Sequence, residues 1–293
     1  YNFAVENIDL YNNKIDNCAI GISVACPKDN SLMDNISASN NKITNCNTGI
    51  LGVGLVSENC EDISFTYNKI IKCNKGMTVD ESTANIDILY NTIKSCRKNL
   101  THQGFGIAVG TNRPLPCSNI NINYNTIKDC DDAGIYVQRI NDSSVSFNTV
   151  RYTSKTSSEK TSIRVLYSSS NVEVLGNLIK ENGLVYPIAV TDMNETITKI
   201  YISNNECYSQ RDDFWIVVSN PSEIVRNSNF INNSLDTISS KNFSIDNAGN
   251  FRKGAFRGGK FLIPSHDLPL EQGEIAFNTG YSYLRIEDGF GEK

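Results

Sequence analysis

Apolar residues come in short strokes along this chain, and the strokes recur in a fixed order. One stroke alternates strictly, as in Ile86-Asp87-Ile88 and Ile120-Asn121-Ile122. A second is a single isoleucine two residues past an asparagine: Ile15, Ile43, Ile70, Ile93 and Ile127. A third reads Gly-Ile-x-Val, at Gly21 to Val24, Gly106 to Val109 and Gly134 to Val137. A period of two places alternate side chains on opposite faces, which predicts strands. No stretch sustains a helical period.

The strokes belong to a repeat. Five segments read YNNKIDNC, SNNKITNC, TYNKIIKC, LYNTIKSC and NYNTIKDC. Their third-position asparagines are Asn13, Asn41, Asn68, Asn91 and Asn125, each followed five residues later by a cysteine: Cys18, Cys46, Cys73, Cys96 and Cys130. The pattern continues without the cysteine through Asn148, Asn177, Asn205 and Asn229. A unit this short cannot bury its own apolar face, so it must stack on copies of itself. Three short strands per unit, each parallel to those above and below, predict an all-β chain. The fold class is a right-handed single-stranded parallel β-helix of about nine coils, at roughly 4.8 Å per coil.

The phrases around the asparagines resemble those of the right-handed parallel β-helix proteins of the pectate-lyase-like superfamily. The resemblance runs from about residue 4 to 247. It implies an asparagine ladder, with stacked amides bonded from coil to coil. It implies less about activity, because this scaffold hosts many.

Residues 1–248 are therefore expected to form the β-helix. Residues 249–260, rich in Gly, Arg and Lys, read as a linker, and residues 261–293 as a small C-terminal strand module. Within the last, Gly273 to Asp288 predicts two short strands joined at Asn278-Thr279-Gly280. That piece resembles short modules near the ends of phage tail and tailspike proteins, or a plain capping hairpin. A rod followed by such a module resembles trimeric tailspikes, which implies a homotrimer. The chain opens at Tyr1 in the middle of a coil, which suggests a fragment of a longer polypeptide.

The formal net charge is −5 with mixed signs. There is no basic stripe with interleaved aromatics, so nucleic acid is not an expected partner. No apolar run approaches a membrane span. Five of the nine cysteines share one register, which predicts stacked, buried, free thiols. The remaining four, Cys26, Cys60, Cys117 and Cys207, fall outside it. There is no Cys-x-x-Cys pair and there are two histidines, so no metal site or cofactor is expected. A thiol row suits folding in a reducing cytoplasm before release, as for a virion tail protein or another extracellular protein.

Insertions in a solenoid map to loops, often on the binding face. The corner between the cysteine position and the Gly-Ile-x-Val stroke is short in the first coils. It lengthens between Cys96 and Gly106, shortens between Cys130 and Gly134, and lengthens again between Thr153 and Thr161. Two long loops around one short corner predict a groove with the Asn125 coil as its floor. Asp131, Asp132, Glu159 and His102 are the candidate catalytic groups there, with Glu181 and Asp212-Asp213 beyond. Tyr136, Arg164, Gln138 and Gln103 are the candidate substrate contacts, Arg164 standing at the position equivalent to Tyr136. Paired carboxylates suit glycoside hydrolysis. A lyase would need a base and a cation to steady charge beside a uronate carboxyl. The sequence thus points to a protein that binds and cleaves a bacterial surface polysaccharide. A non-catalytic virion module and a bacterial surface epimerase-like protein stand as alternatives.

Overall fold

The structure, a computed structural model, describes residues 4–26, 32–54, 62–80, 84–100, 103–110, 116–153, 161–182, 185–191 and 198–208, and seven strands beyond them. It is the all-β right-handed parallel β-helix expected from the sequence. Each coil contributes one strand to each of three parallel sheets of ten, nine and nine strands. The first sheet holds the alternating strokes, such as Ala84–Leu89 and Cys117–Asn123. Three-residue strands such as Thr92–Lys94 and Thr126–Lys128 form the second. The Gly-Ile-x-Val strokes, such as Ile107–Val109 and Ile135–Gln138, form the third.

Register is set by the inward residues. Ile15, Ile43, Ile70, Ile93, Ile127, Val150, Ile179 and Cys207 stack down the second sheet. Cys207 thus occupies the isoleucine position and is buried, while Cys117 is buried opposite Ile140 at the start of a first-sheet strand. Both lie outside the register of the five stacked cysteines, as the sequence indicated, and both are part of the core.

The corner between the first and second sheets carries the asparagines. Each ladder asparagine accepts, on Oδ1, both the backbone N–H and the side-chain N–H of the asparagine one coil earlier. Asn68 donates to Asn91 Oδ1 at 2.8 and 3.1 Å, and Asn91 to Asn125 Oδ1 at 2.9 and 3.0 Å. The amide also donates back to a carbonyl of the preceding coil, as Asn91 does to Phe65 at 2.7 Å. The ladder runs unbroken from Asn13 to Asn205. Asn229, expected as the next rung, is not one: it pairs with Tyr201, four residues before Asn205 in the neighbouring coil.

The chain turns into each ladder position through a left-handed residue with φ between 54° and 64°. Asparagine or glycine fills it at Asn12, Asn40, Gly176 and Asn204; Tyr67, Tyr90, Tyr124 and Phe147 fill the rest. For a ring-bearing residue this conformation costs about 1–2 kcal/mol. The four rings stack consecutively at 5.0–5.2 Å, an interaction of about 0.5–1.5 kcal/mol per pair that offsets much of that cost.

The glycine of the third stroke has a steric origin. A Cβ on Gly106 would lie 2.5 Å from the Gly134 carbonyl oxygen and 2.5 Å from Ile127 Cγ2. Gly21 and Gly49 meet the next coil in the same way.

Of the five stacked cysteines, Cys46, Cys73, Cys96 and Cys130 are buried and free. Cys18 is free but exposed, contrary to the expected burial, because no described coil lies beneath it to cover its side chain.

Three further strands bear on the tail. Ala255–Arg257, inside the expected linker, pairs with Asn229–Ile231 in the first sheet. Ile275–Asn278 and Tyr283–Ile286 form an antiparallel hairpin. No described helix is long and apolar enough to cross a membrane.

Candidate functional site

The insertion after Cys96 is held against the Asn125 coil by two aspartates. Asp132 Oδ2 accepts the Gly104 N–H at 2.8 Å, and its own N–H donates to the Gly104 carbonyl at 3.1 Å. Asp131 Oδ2 accepts the Lys98 N–H at 3.0 Å, and Oδ1 accepts from Arg97 at 3.1 Å. Arg97 also reaches the Asp129 carboxylate at 2.6 Å. The two aspartates thus clasp both ends of the loop. Asp132 is buried and Asp131 partly so.

So fixed, the loop places two side chains over the third sheet. Phe105 is buried and packs with Ala108 and Ala133, whose small side chains leave it room. It stacks on Tyr136 at 4.6 Å between centroids. Tyr136 points outward from its strand, in register with Ala108 one coil earlier and Arg164 one coil later. Gln103 precedes Phe105 and is exposed.

Around Tyr136 lies a cleft of about 320 Å³ lined by Gln103, Tyr136, Gln138, Arg139 and Tyr167. It spans three successive coils. The Tyr136 hydroxyl donates to Gln138 Oε1 at 3.2 Å, and Gln138 Nε2 donates to the Gly110 carbonyl at 2.5 Å. Gly110 has φ of 72°, and a Cβ there would strike the Gln138 carbonyl. The Gln138 amide is therefore oriented from both ends. Arg164 is buried beside the cleft. Burial pushes the Tyr136 phenol above its ordinary value, with the Arg164 charge opposing. Burial likewise pulls Arg164 down, opposed by Tyr136 and Tyr167.

Sequence reasoning did not find Arg139 and Tyr167. They occupy equivalent positions, each just past its third-sheet strand, because Gln138 pairs with Leu166. The Arg139 guanidinium lies over the Tyr167 ring, 4.7 Å from its centroid. The available signal was the pair of strand ends Gln138-Arg139 and Leu166-Tyr167, aligned by the repeat.

Of the candidates named from sequence, Gln103, Tyr136 and Gln138 line the cleft and Arg164 adjoins it. Asp131 and Asp132 bond to the loop and are not part of the described lining. His102 and Glu159, like Asp212-Asp213, lie outside the described residues. Glu181 is buried and clasps the next insertion: it accepts the Thr153 N–H at 2.7 Å, the Thr153 hydroxyl at 2.7 Å and the Ser162 hydroxyl at 2.8 Å. Among the described residues no group of three or more His, Cys, Asp or Glu is placed to hold a metal ion.

Residues 5–150 match the family model described as the right handed beta helix region. Among solved structures the chain is similar to the A-module of the Azotobacter vinelandii mannuronan C-5 epimerase AlgE6. The identity is 11% and the TM-score 0.44, over 77% of this chain and 68% of that one. No curated protein matches the chain. With its stacked coils and continuous asparagine ladder, the chain is one of the right-handed parallel β-helix proteins.

Proposed function

We propose that this chain binds a bacterial surface polysaccharide in the cleft over the Asn125 coil, as part of a tailspike-type protein. The observation that carries this reading is the convergence of two amides, two phenols and a guanidinium from three coils on one open cleft. Oriented amides and hydroxyls match sugar hydroxyls, and aromatic surface matches the apolar faces of sugar rings. Folding in a reducing cytoplasm is the reading that the buried free thiols of Cys46, Cys73, Cys96 and Cys130 support; a homotrimer on a virion tail completes the proposal and rests on the resemblance of the tail module alone. Mass photometry of the protein at micromolar concentration tests the trimer.

Cleavage of the bound chain is the finer proposal, with Asp131 or Asp132 as acid, or Glu159 or His102 from the loops. The experiment incubates the protein with a panel of capsular and lipopolysaccharide glycans. New reducing ends report hydrolysis, and unsaturated uronate ends, seen by ultraviolet absorbance, report elimination. Asp131→Asn, Asp132→Asn, Glu159→Gln and His102→Asn are then assayed on any glycan that is cut. Loss of turnover with an unchanged melting temperature identifies the acid.

A second reading, binding without cleavage, is favoured by one observation: both aspartates are engaged in holding the loop. Glycan binding without new ends would select it.

A further inference from the structure

We propose that the first and second sheets are the two halves of a self-contact: the acidic outer face of one copy lies along the basic outer face of a second copy, side by side and pointing the same way. This gives the homotrimer of the reading above its contact surfaces, and it does not depend on the glycan.

The second sheet carries its bases in columns. Lys14, Lys42 and Lys69 stand in register over three coils. Lys94, Lys128, Arg151 and Lys180 stand in register over the next four. Each is next to the inward residue of its strand, so alternation turns it outward. In the sequence these bases are a whole coil apart, so no basic stripe is visible there; stacking brings them to about 4.8 Å. Like charges so aligned repel one another, and a counter-charged face relieves the cost.

The first sheet carries acids. Asp9, Asp87 and Glu173 share one outward column, with serines and Asn121 between them. Asp62 and Asp142 are exposed at left-handed positions where the chain enters the sheet. A hollow of about 520 Å³ on this face is lined by Asp62, Asn85, Asp87 and Asn119, among others.

The two faces match coil by coil. Asp9 shares its coil with Lys14, Asp62 with Lys69, Asp87 with Lys94, Asp142 with Arg151, and Glu173 with Lys180. In the next coil both signs reverse: the first sheet exposes Lys199 and the second exposes Glu206. The double reversal keeps the faces complementary only when each coil meets the same coil of a copy pointing the same way. In an opposed copy Glu206 would approach the acidic Asp9 end, and Lys199 would approach Lys14. Among the described residues no ion pair joins the two faces within one chain. Between them runs the row of Tyr67, Tyr90, Tyr124 and Phe147, each 45–57% exposed. A neighbour laid along both faces covers these rings and takes apolar surface from water. Because unlike faces meet, the contact is heterologous and closes into a ring about an axis along the rods.

The test measures assembly by mass photometry and sedimentation, in low and high salt. The variants are an acid-face reversal, Asp87→Lys with Glu173→Lys; a base-face reversal, Lys94→Glu with Lys180→Glu; and the four changes combined. Lys75→Glu, on the third sheet, is the charge control. Melting temperatures confirm folding. The parent is expected to assemble at micromolar concentration, more weakly in high salt. Each face reversal alone weakens assembly roughly tenfold or more. The combined variant assembles again, because its faces are complementary once more, and Lys75→Glu is unchanged.

A parent trimer that neither face reversal weakens overturns the contact and leaves the homotrimer standing on its tail. A combined variant that is folded but dissociated overturns the charge pairing. If the base-face reversal leaves assembly intact and instead abolishes binding to heparin, that face belongs to a polyanion and the self-contact falls. An assembly of two or four copies with the expected variant pattern upholds the contact and removes the trimer. A parent that stays monomeric removes both, and the glycan reading is untouched.

Discussion

Two corners of the same coil are built on opposite plans. The corner between the first and second sheets repeats itself: a left-handed residue, then an asparagine whose amide bonds up and down the stack. The corner between the second and third sheets changes from coil to coil. There the chain inserts residues 97–105 in one coil and 154–160 two coils later, and each insertion is clasped by a carboxylate from the following coil. The repeated corner leaves every coil interchangeable with its neighbours. The variable corner makes three coils unlike the rest, and the cleft lies on their third-sheet side. In a solenoid the regular side sustains the stack, so the other can diverge without loss of register.

The sharpest way to break this contrast is to remove one rung. Asn91→Ala takes away the acceptor of the Asn68 N–H and Nδ2 and the donor to the Phe65 carbonyl, all in the interior. Each buried group left unpaired costs about 1–3 kcal/mol, so the expected loss is about 3 kcal/mol or more. Urea unfolding measures it. A midpoint that does not move would show that the stack does not depend on its amides.

Next in size is the steric limit of the third sheet. Gly106→Ala drives a Cβ into the Gly134 carbonyl and Ile127, and a backbone carbonyl cannot rotate away. Overpacking of this kind costs about 1–3 kcal/mol, read from the same unfolding curves. Because Gly106 immediately follows Phe105 and precedes the strand Ile107–Val109, the change should also disturb Phe105 and Tyr136. Fluorescence of the cleft tyrosines would separate local from global effects.

These two sites also show what the sequence made legible. An asparagine, an isoleucine and a cysteine at fixed offsets announce positions that are buried in every coil, and burial of a repeated position is what a repeat records. Where two matches to the phrase lie four residues apart, pattern alone misleads. Asn229-Phe230-Ile231 imitates the phrase, yet Leu235 is the residue that pairs with Cys207. Cys18 shares the register but is exposed, with no described coil beneath it. In the site, strand alternation sends Tyr136 and Arg164 outward, and loop length locates the groove. The acids were harder to read. A sequence shows Asp131, Asp132 and Glu181 as acids without their partners; in the fold each also bonds to an insertion or its flank. Arg139 and Tyr167 escaped because the short corners between the third and first sheets belong to no stroke.

A weaker effect is expected from the thiol row, which belongs to the regular part of the coil. Burial pushes the Cys73 thiol from the ordinary 9.0 up to about 12, and the Cys96 thiol, facing Cys130 and buried, well above its ordinary value. In the unfolded chain these thiols ionise near 9, while in the folded protein they stay protonated. Above that pH the unfolded state binds fewer protons, so stability falls as pH rises. The contribution is complete below about pH 9 and is lost as pH climbs toward 12. Cys73→Ala should lower stability at neutral pH but flatten this alkaline decline. An equally steep decline in the variant would assign it to other groups.

The smallest effect is expected at the clasp, and it separates two accounts of how the variable corner is held. Arg97 pairs with Asp129 and Asp131, but its side chain is 44% exposed, and exposed ion pairs contribute about 0–1 kcal/mol. The backbone bond from Gly104 to Asp132 is buried, and neither it nor the exposed bond from Lys98 to Asp131 depends on the arginine. Arg97→Ala should therefore cost less than about 1 kcal/mol, and that small loss should vanish in high salt. Asp132→Asn keeps an acceptor for the Gly104 N–H and should also be tolerated. Asp132→Ala strands that N–H and should loosen the loop, detected as faster amide exchange at Lys98 and Gly104 with little change at Asn91. If Arg97→Ala alone frees the loop, the clasp is an ion pair and not a set of backbone bonds. The Phe105–Tyr136 stack would then depend on ionic strength, and with it the shape of the cleft.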